Sequence, residues 1–118
     1  MPVRLLSSSV LKWPDRQTVK QAAVIWAQKT FAMCPDVMRI GYFGSYARGN
    51  WGVGSDIDIL IVVKDSDLPM GMRALRFETE SLPVPTDLLV YTADEWNAIA
   101  SSNSKFARMI AREAEWLR

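Results

Sequence analysis

The sequence predicts an α/β (α+β) domain, a small mixed β-sheet with helices mainly on one face, formed by residues 1–118 as a single unit. Three observations carry that expectation. Val37 to Phe43, Ile57 to Val63 and Pro85 to Tyr91 are short runs rich in β-formers. Segments with apolar residues at helical spacing lie before, between and after them. A chain of 118 residues fits one domain, and a hydrophobic share of 49% is enough for one core.

The first helix is expected from Asp15 to about Met33, with Val19, Ala22, Ala23, Trp26, Ala27 and Thr30 or Phe31 on one stripe. Asp15 can cap its first amides, and Cys34-Pro35 ends it because the residue before proline leaves the helical region. After the first strand, Gly44-Ser45 is a break and Tyr46-Ala47-Arg48 can form one helical turn. Gly49 to Ser55, with three glycines and an asparagine, is a loop. Ile57 to Val63 is an almost continuous aliphatic run, as in a strand buried on both faces. A helix over Arg73 to Glu80 follows, then the third strand. Thr92-Ala93-Asp94-Glu95 is a capping box opening a helix through Ala100. Ser101 to Ser104 forms a turn and cap. The last helix is expected from Lys105 to about Leu117, with Phe106, Met109, Ile110 and Leu117 as its stripe and Trp116 at the margin; Glu113 interrupts that stripe.

Composition narrows the chemistry. The formal charge is +1, so the chain does not read as one that coats nucleic acid. Cys34 is the only cysteine, which rules out an internal disulfide and fits a reducing compartment. No apolar run approaches the ~20 residues of a membrane span, and the N-terminal run is too short for a signal-peptide core. A cytoplasmic protein without membrane contact is the expectation. Histidine is absent, so a Ser-His or Cys-His dyad and histidine-ligated zinc are excluded within the chain.

Carboxylates remain. Asp56 and Asp58 stand two residues apart at the mouth of a strand, which puts both side chains on one face. Their charges repel, and a divalent cation reverses that repulsion; Mg²⁺ suits carboxylate oxygens completed by substrate phosphates. Gly44-Ser45, after a strand and before a helical turn, lets backbone amides approach a phosphate, with the Ser45 hydroxyl as a further donor and the helix dipole as support. Asp87, inside an apolar strand, would be costly if buried unpaired, and a metal shared with Asp56 and Asp58 would explain it. Such a cluster serves phosphoryl transfer, with Asp87 as metal ligand or as acceptor of the attacking hydroxyl's proton.

Gly44-Ser45, ten intervening residues and Asp56-Ile57-Asp58 resemble the signature of the polymerase-beta-type nucleotidyltransferase superfamily. The compact Gly44-Ser45-Tyr46-Ala47-Arg48-Gly49, Ser55 before the acidic pair, and Asp87 on a later strand are similar to its minimal nucleotidyltransferase branch. The resemblance covers about Val37 to Val90, and the helices after Thr92 are also similar. It implies the nucleotidyltransferase fold and transfer of a nucleoside monophosphate, AMP from ATP or another nucleoside triphosphate, to a hydroxyl. It implies that Asp56, Asp58 and Asp87 are catalytic and bind one or two Mg²⁺ ions. Gly44 and Ser45 would hold the triphosphate, with Arg48 and Ser55 supporting the loop or the phosphates. It further implies a HEPN-type toxin as partner, with this chain as antitoxin.

Plainer readings stand beside these. Asp87 can be an edge-strand aspartate facing water, and Arg48 can pair with a surface carboxylate. Trp51 can stack on a base or contact a partner. Cys34 reads as a boundary residue. The alternative to an enzyme is a non-catalytic nucleotide-binding module, or an antitoxin that works by contact alone. No second domain is expected to hold the acceptor, so a partner or the acceptor itself should complete the site. Trp51 and Trp13, outside any core pattern, point to a homo-oligomer or a hetero-complex.

Overall fold

The computed structural model describes residues 14–49, 52 and 55–117. In chain order the elements are α1 (Arg16–Met33), β1 (Val37–Phe43), α2 (Ser45–Arg48), β2 (Ile57–Val63), a 3₁₀ helix (Met70–Arg76), β3 (Thr86–Thr92), α3 (Ala93–Ala100), α4 (Lys105–Glu113) and β4 (Glu115–Trp116). The sheet order is β3-β2-β1-β4. β1 runs antiparallel to both β2 and β4, while β2 and β3 are parallel. This is the mixed sheet of an α/β domain.

α1 begins where its capping residue predicts: the Asp15 side chain accepts from the Thr18 amide at 2.8 Å. Val19, Ala23, Trp26, Ala27 and Thr30 form its buried stripe. They pack on Ile40 and Tyr42 of β1 and on Ile57, Ile59, Ile61 and Val63 of β2. The intervening β2 residues Leu60 and Val62 point the other way, onto Trp96 of α3 and Ile110 of α4. Every β2 residue but Asp58 is buried, as expected of a strand covered on both faces. One detail differs from the expectation. The helices divide between the two faces, α1 on one and α3 with α4 on the other. Periodicity shows that a helix has an apolar stripe, but not which side of the sheet receives it.

The capping box at Thr92 forms in both directions: the Thr92 hydroxyl accepts from the Glu95 amide at 3.2 Å and Glu95 accepts from the Thr92 amide at 2.9 Å. Ser104 caps α4 by accepting from the Ala107 amide at 3.1 Å.

Two elements depart from the sequence reading. The segment expected to be helical from Arg73 to Glu80 is a 3₁₀ helix over Met70–Arg76, and Phe77 leaves it in extended geometry to join the core. The last helix stops at Glu113, not near Leu117. Ala114 turns extended, and Glu115–Trp116 pairs with Tyr42 and Gly41. Alternation then sends Trp116 to the α3/α4 face and Leu117 to the α1 face. Gly41 makes this possible, because a Cβ there would lie 2.7 Å from Trp116 Cε3. Arg39 covers the Trp116 ring at 3.7 Å, and Trp96 meets it edge-on at 5.8 Å. On the other face Glu115 pairs with Arg16 and Lys20 of α1, each at 3.1 Å.

Arg73 locks the 3₁₀ helix to the sheet. Its guanidinium donates to Glu95 at 2.5 and 3.1 Å, to the Val90 carbonyl at 3.2 Å and to the Leu68 carbonyl at 2.9 Å. The Arg73 bonds and the Thr92 amide hold the Glu95 carboxyl down to about 2. A depressed carboxylate stabilises the fold above its ordinary value of 4.5 and loses that contribution as pH falls from there through about 2. Arg73 is buried but the Glu95 side chain is 39% exposed, so solvent screens part of the gain. Glu95→Gln should cost about 2 kcal/mol at neutral pH, the scale of a charge-assisted hydrogen bond. In urea titrations, the gap between wild type and Glu95→Gln should close as pH drops from 4.5 towards 2. A gap that stays constant across that range would show that the ion pair contributes nothing.

Candidate active site

Three chain segments meet at one end of the sheet: the end of β1, the start of β2 and the start of β3. Phe43 is the register partner of Asp58, and Asp58 is the register partner of Asp87. Neighbouring residues in register point to the same face, so Asp58 and Asp87 stand side by side on the α3/α4 face. The Ile57 amide donates to the Pro85 carbonyl at 2.9 Å, which sets that register at the mouth of the two strands. Asp56 precedes β2 and is exposed, as is Asp87; Asp58 is half-buried.

Gly44 follows β1 and leads into α2. Its φ of 82° and ψ of −152° lie in a region that L side chains avoid. A Cβ at Gly44 would also stand 2.3 Å from Asp58 Oδ2. Glycine is required twice over, by its backbone angles and by the carboxylate that occupies the space. The same contact puts the Gly44-Ser45 backbone against the acidic side chain. α2 has four residues only and closes at Gly49 in left-handed geometry, with φ at 83°. One turn adds little macrodipole, so a phosphate cradle here would rest on backbone amides and the Ser45 hydroxyl. That corrects the part given to the helix dipole.

The electrostatics are unfavourable as they stand. Burial pushes the Asp58 carboxyl above its ordinary value, and the charges of Asp87 and then Asp56 push it further, against a smaller opposing pull from Arg48. Among the described residues, no three His, Cys, Asp or Glu side chains form a ready-made metal cluster. The site is a register-matched carboxylate pair with a third carboxylate within electrostatic reach. Such an all-oxygen set could hold a cation that keeps water and phosphate oxygens among its ligands, as Mg²⁺ does.

The supporting residues have definite partners. Arg48 pairs with Glu113 at the end of α4 at 3.2 Å, and Glu113 also meets Arg112 at 3.4 Å. Arg48 thus ties α2 to α4 while its charge still reaches Asp58. Ser55 closes the glycine loop on itself: its amide donates to the Gly52 carbonyl at 2.9 Å and its hydroxyl accepts from the Gly52 amide at 2.8 Å. Asp87 lies on the edge strand and is exposed, so it bears no burial cost of the kind its apolar neighbours suggested. Trp51 and Trp13, and with them the contacts expected of them, lie outside the described residues, as do Asn50, Val53 and Gly54. Sequence reasoning did not find Glu113 as the partner of Arg48; its one signal was a charge interrupting the α4 stripe. Arg16 is a second addition, donating to the Tyr46 and Ala47 carbonyls at 2.8 and 3.0 Å and so fixing α2 from α1.

Comparison with known proteins bears on the family and the fold. The family pattern described as Nucleotidyltransferase domain matches residues 28–115. A candidate nucleotidyltransferase from Sulfolobus solfataricus is similar in structure at 25% identity and a TM-score of 0.56, over 70% of this chain and 75% of that one. A toxin-antitoxin structure with AMP-PNP has a TM-score of 0.56 at 20% identity, over 80% of this chain and 72% of that one. A variant of the toxin-antitoxin MntA-HpeT has a TM-score of 0.52 at 20% identity, over 78% and 68%. Among curated proteins no sequence matches the chain.

Asp58→Asn tests the electrostatic reading of the site. A carboxyl whose value is raised on folding withdraws stability as pH rises through that value, so at neutral pH the ionised Asp58 weakens the fold. In EDTA at neutral pH, Asp58→Asn should melt at a higher temperature than wild type. Gly44→Ala should melt lower, its backbone angles alone costing on the order of 1–3 kcal/mol. A lower melting temperature for Asp58→Asn in EDTA would overturn the argument.

Proposed function

This chain belongs to the nucleotidyltransferase domain family, and we propose that it transfers AMP from ATP to a hydroxyl on a protein, as the antitoxin of a HEPN-type toxin. In this reading residues 1–118 act as one minimal nucleotidyltransferase domain, in the cytoplasm. The observation that carries the reading is the Asp58–Asp87 register pair lying against the Gly44-Ser45 turn. A fold without use for a cation gains nothing by setting these carboxylates together. The toxin-antitoxin structures of similar fold, one of them with AMP-PNP, support the biological role and the nucleotide.

The residues divide the work. Backbone amides at Gly44-Ser45 and the Ser45 hydroxyl hold the triphosphate oxygens. Arg48, anchored by Glu113, adds positive charge beside Asp58 and fixes α2. Ser55 keeps the loop before Asp56 in shape through its paired bonds to Gly52. Mg²⁺, held by Asp56, Asp58 and Asp87, would supply the charge that offsets carboxylate repulsion and steadies the phosphates. The acceptor hydroxyl gives its proton to Asp87, its oxygen bonds to the α-phosphorus, and the bond from that phosphorus to the bridging oxygen breaks. Pyrophosphate leaves with the electron pair. Asp87 suits the acceptor side because it lies on the edge strand, where a second molecule can reach it.

Calorimetry with ATP should show binding that strengthens in Mg²⁺ and fades in the double variant Asp56→Asn/Asp58→Asn. Asp87→Asn should retain most of the binding and lose transfer by ~10²–10⁴-fold, the usual value of general-base assistance. Intact-mass spectrometry of the partner after incubation with ATP and Mg²⁺ reads the transfer. Toxicity rescue by Asp87→Asn, with no AMP added to the partner by either protein, would leave an antitoxin that acts by contact alone.

A further inference from the structure

The edge of β3 next to Asp87 turns main-chain groups away from the sheet. The Pro85 carbonyl faces β2, so the alternation of the strand turns the carbonyls of Thr86, Leu88 and Val90 away from it. Val90 meets Arg73 there, which agrees with that alternation. Beside Thr86 and Leu88 a groove of about 350 Å³ runs between the β3 edge and the 3₁₀ segment. Its walls include Leu75, Phe77, Thr79, Thr86, Asp87 and Leu88. The catalytic candidate Asp87 therefore belongs to the groove as well as to the acidic site. Leu75 is 79% exposed, and Met70 and Met72 on the same 3₁₀ helix are 44% and 49% exposed. That is unusual apolar exposure for so short an element. Flexible apolar side chains, methionine above all, suit adaptable contacts with a polypeptide.

The geometry points to this groove as the docking site for the acceptor: an extended polypeptide segment that lies along the β3 edge, with an apolar side chain against Leu75. This rests on the transferase reading and adds where the acceptor binds and what its sequence contains. Main-chain hydrogen bonds to the outward groups of Thr86 and Leu88 would give the segment its direction, and alternate side chains would give it specificity. Continuity with Asp87 selects this occupant over a second copy of the chain or a small ligand. A segment paired at Leu88 passes Asp87 within one residue, so its hydroxyl arrives beside the group that takes its proton. Arg73, by occupying the Val90 carbonyl, ends the open edge and limits the segment to the Asp87 end.

The test is an array of short extended peptides, each with a central tyrosine, serine or threonine and with apolar, acidic or basic residues at the flanking positions. The array is incubated with the full chain, Mg²⁺ and ATP labelled at the α-phosphate. Wild type should label peptides with an apolar residue at one flanking position. Leu75→Lys should lose that preference about tenfold, the scale of one lost apolar contact, and should instead favour acidic residues at the same position. Its ATP affinity by calorimetry should be unchanged, because Leu75 is exposed and outside the triphosphate site. Leu75→Ala, which introduces no charge, should weaken the apolar preference without creating an acidic one. Labelling by wild type with no flanking preference, or with a preference that both variants keep, would overturn the groove and leave the transferase intact. No labelling of any peptide by wild type would overturn transfer to an extended polypeptide, and the groove with it.

Discussion

The site depends on one close approach: the Asp58 carboxylate fills the volume that any side chain at position 44 would need. Much of the surrounding structure can be traced from there. Gly44 adopts backbone angles open to glycine, which turns the chain at the end of β1 and starts α2 over the acidic residue. Asp58 is held in place because β2 is buried on both sides and paired on both edges, with Phe43 across one ladder and Asp87 across the other. α2 is too short to hold itself by helical hydrogen bonds, so it borrows Arg16 from α1 and, through Arg48, Glu113 from α4. Helices from both faces of the sheet therefore converge on the one turn that faces the carboxylates.

How far the sequence revealed this depends on whether a residue's own chemistry declared its role. The placement of Asp56, Asp58, Gly44 and Ser45 at one end of the sheet was legible because strand starts and strand ends are set by short local runs. The capping residues Asp15, Thr92 and Ser104 were legible for the same reason: each acts within four residues of itself. β4 was not. Two residues carry no period, and Glu115–Trp116 pairs with β1 because Gly41, far away in the chain, leaves room for an indole. Glu113 in the α4 stripe was a real signal of the helix end, but local pattern alone could not say what followed. The 3₁₀ helix shows the opposite case. Apart from Gly71 its residues are good helix formers, yet Arg73 must reach Glu95 and Phe77 must reach the core, and the tighter helix meets both demands. For Asp87 the sequence left a buried and an edge-exposed setting both open, since the exposure of an edge strand is set by sheet order and not by its neighbours in sequence.

The ion pairs separate two kinds of electrostatics in one small molecule. Arg73–Glu95, Arg76–Asp36 and Arg16–Glu115 each join segments distant in sequence and set opposite charges side by side. They act as clasps. The acidic end of the sheet is uncancelled: Arg48 is the cation whose pull on Asp58 is felt, and Glu113 already claims part of it. Among the described residues, charge is paired at these clasps and left uncompensated around Asp58. Unbalanced charge beside a glycine turn is what a ligand of opposite sign and a phosphate would complete.

That same place is open to water, and openness limits what its charges can do alone. Asp56 and Asp87 are exposed, and between exposed groups water reduces a contact at 4 Å to about 1 kcal/mol. Electrostatic help to a transition state needs a drier setting, where fixed dipoles and charges act without reorganising solvent. In the proposed reaction a bound nucleotide would cover part of the site. The remainder lies on the β3 edge, which offers apolar side chains and outward main-chain groups and, among the described residues, no covering element beyond Arg73. Covering that edge with a polypeptide would strengthen each interaction at Asp87 and deliver the hydroxyl in the same step. On this view the acceptor is part of the active site. An enzyme of this form would be slow towards water and selective for the partner that closes it, which is the behaviour required of a transferase that must not spend its triphosphate on solvent.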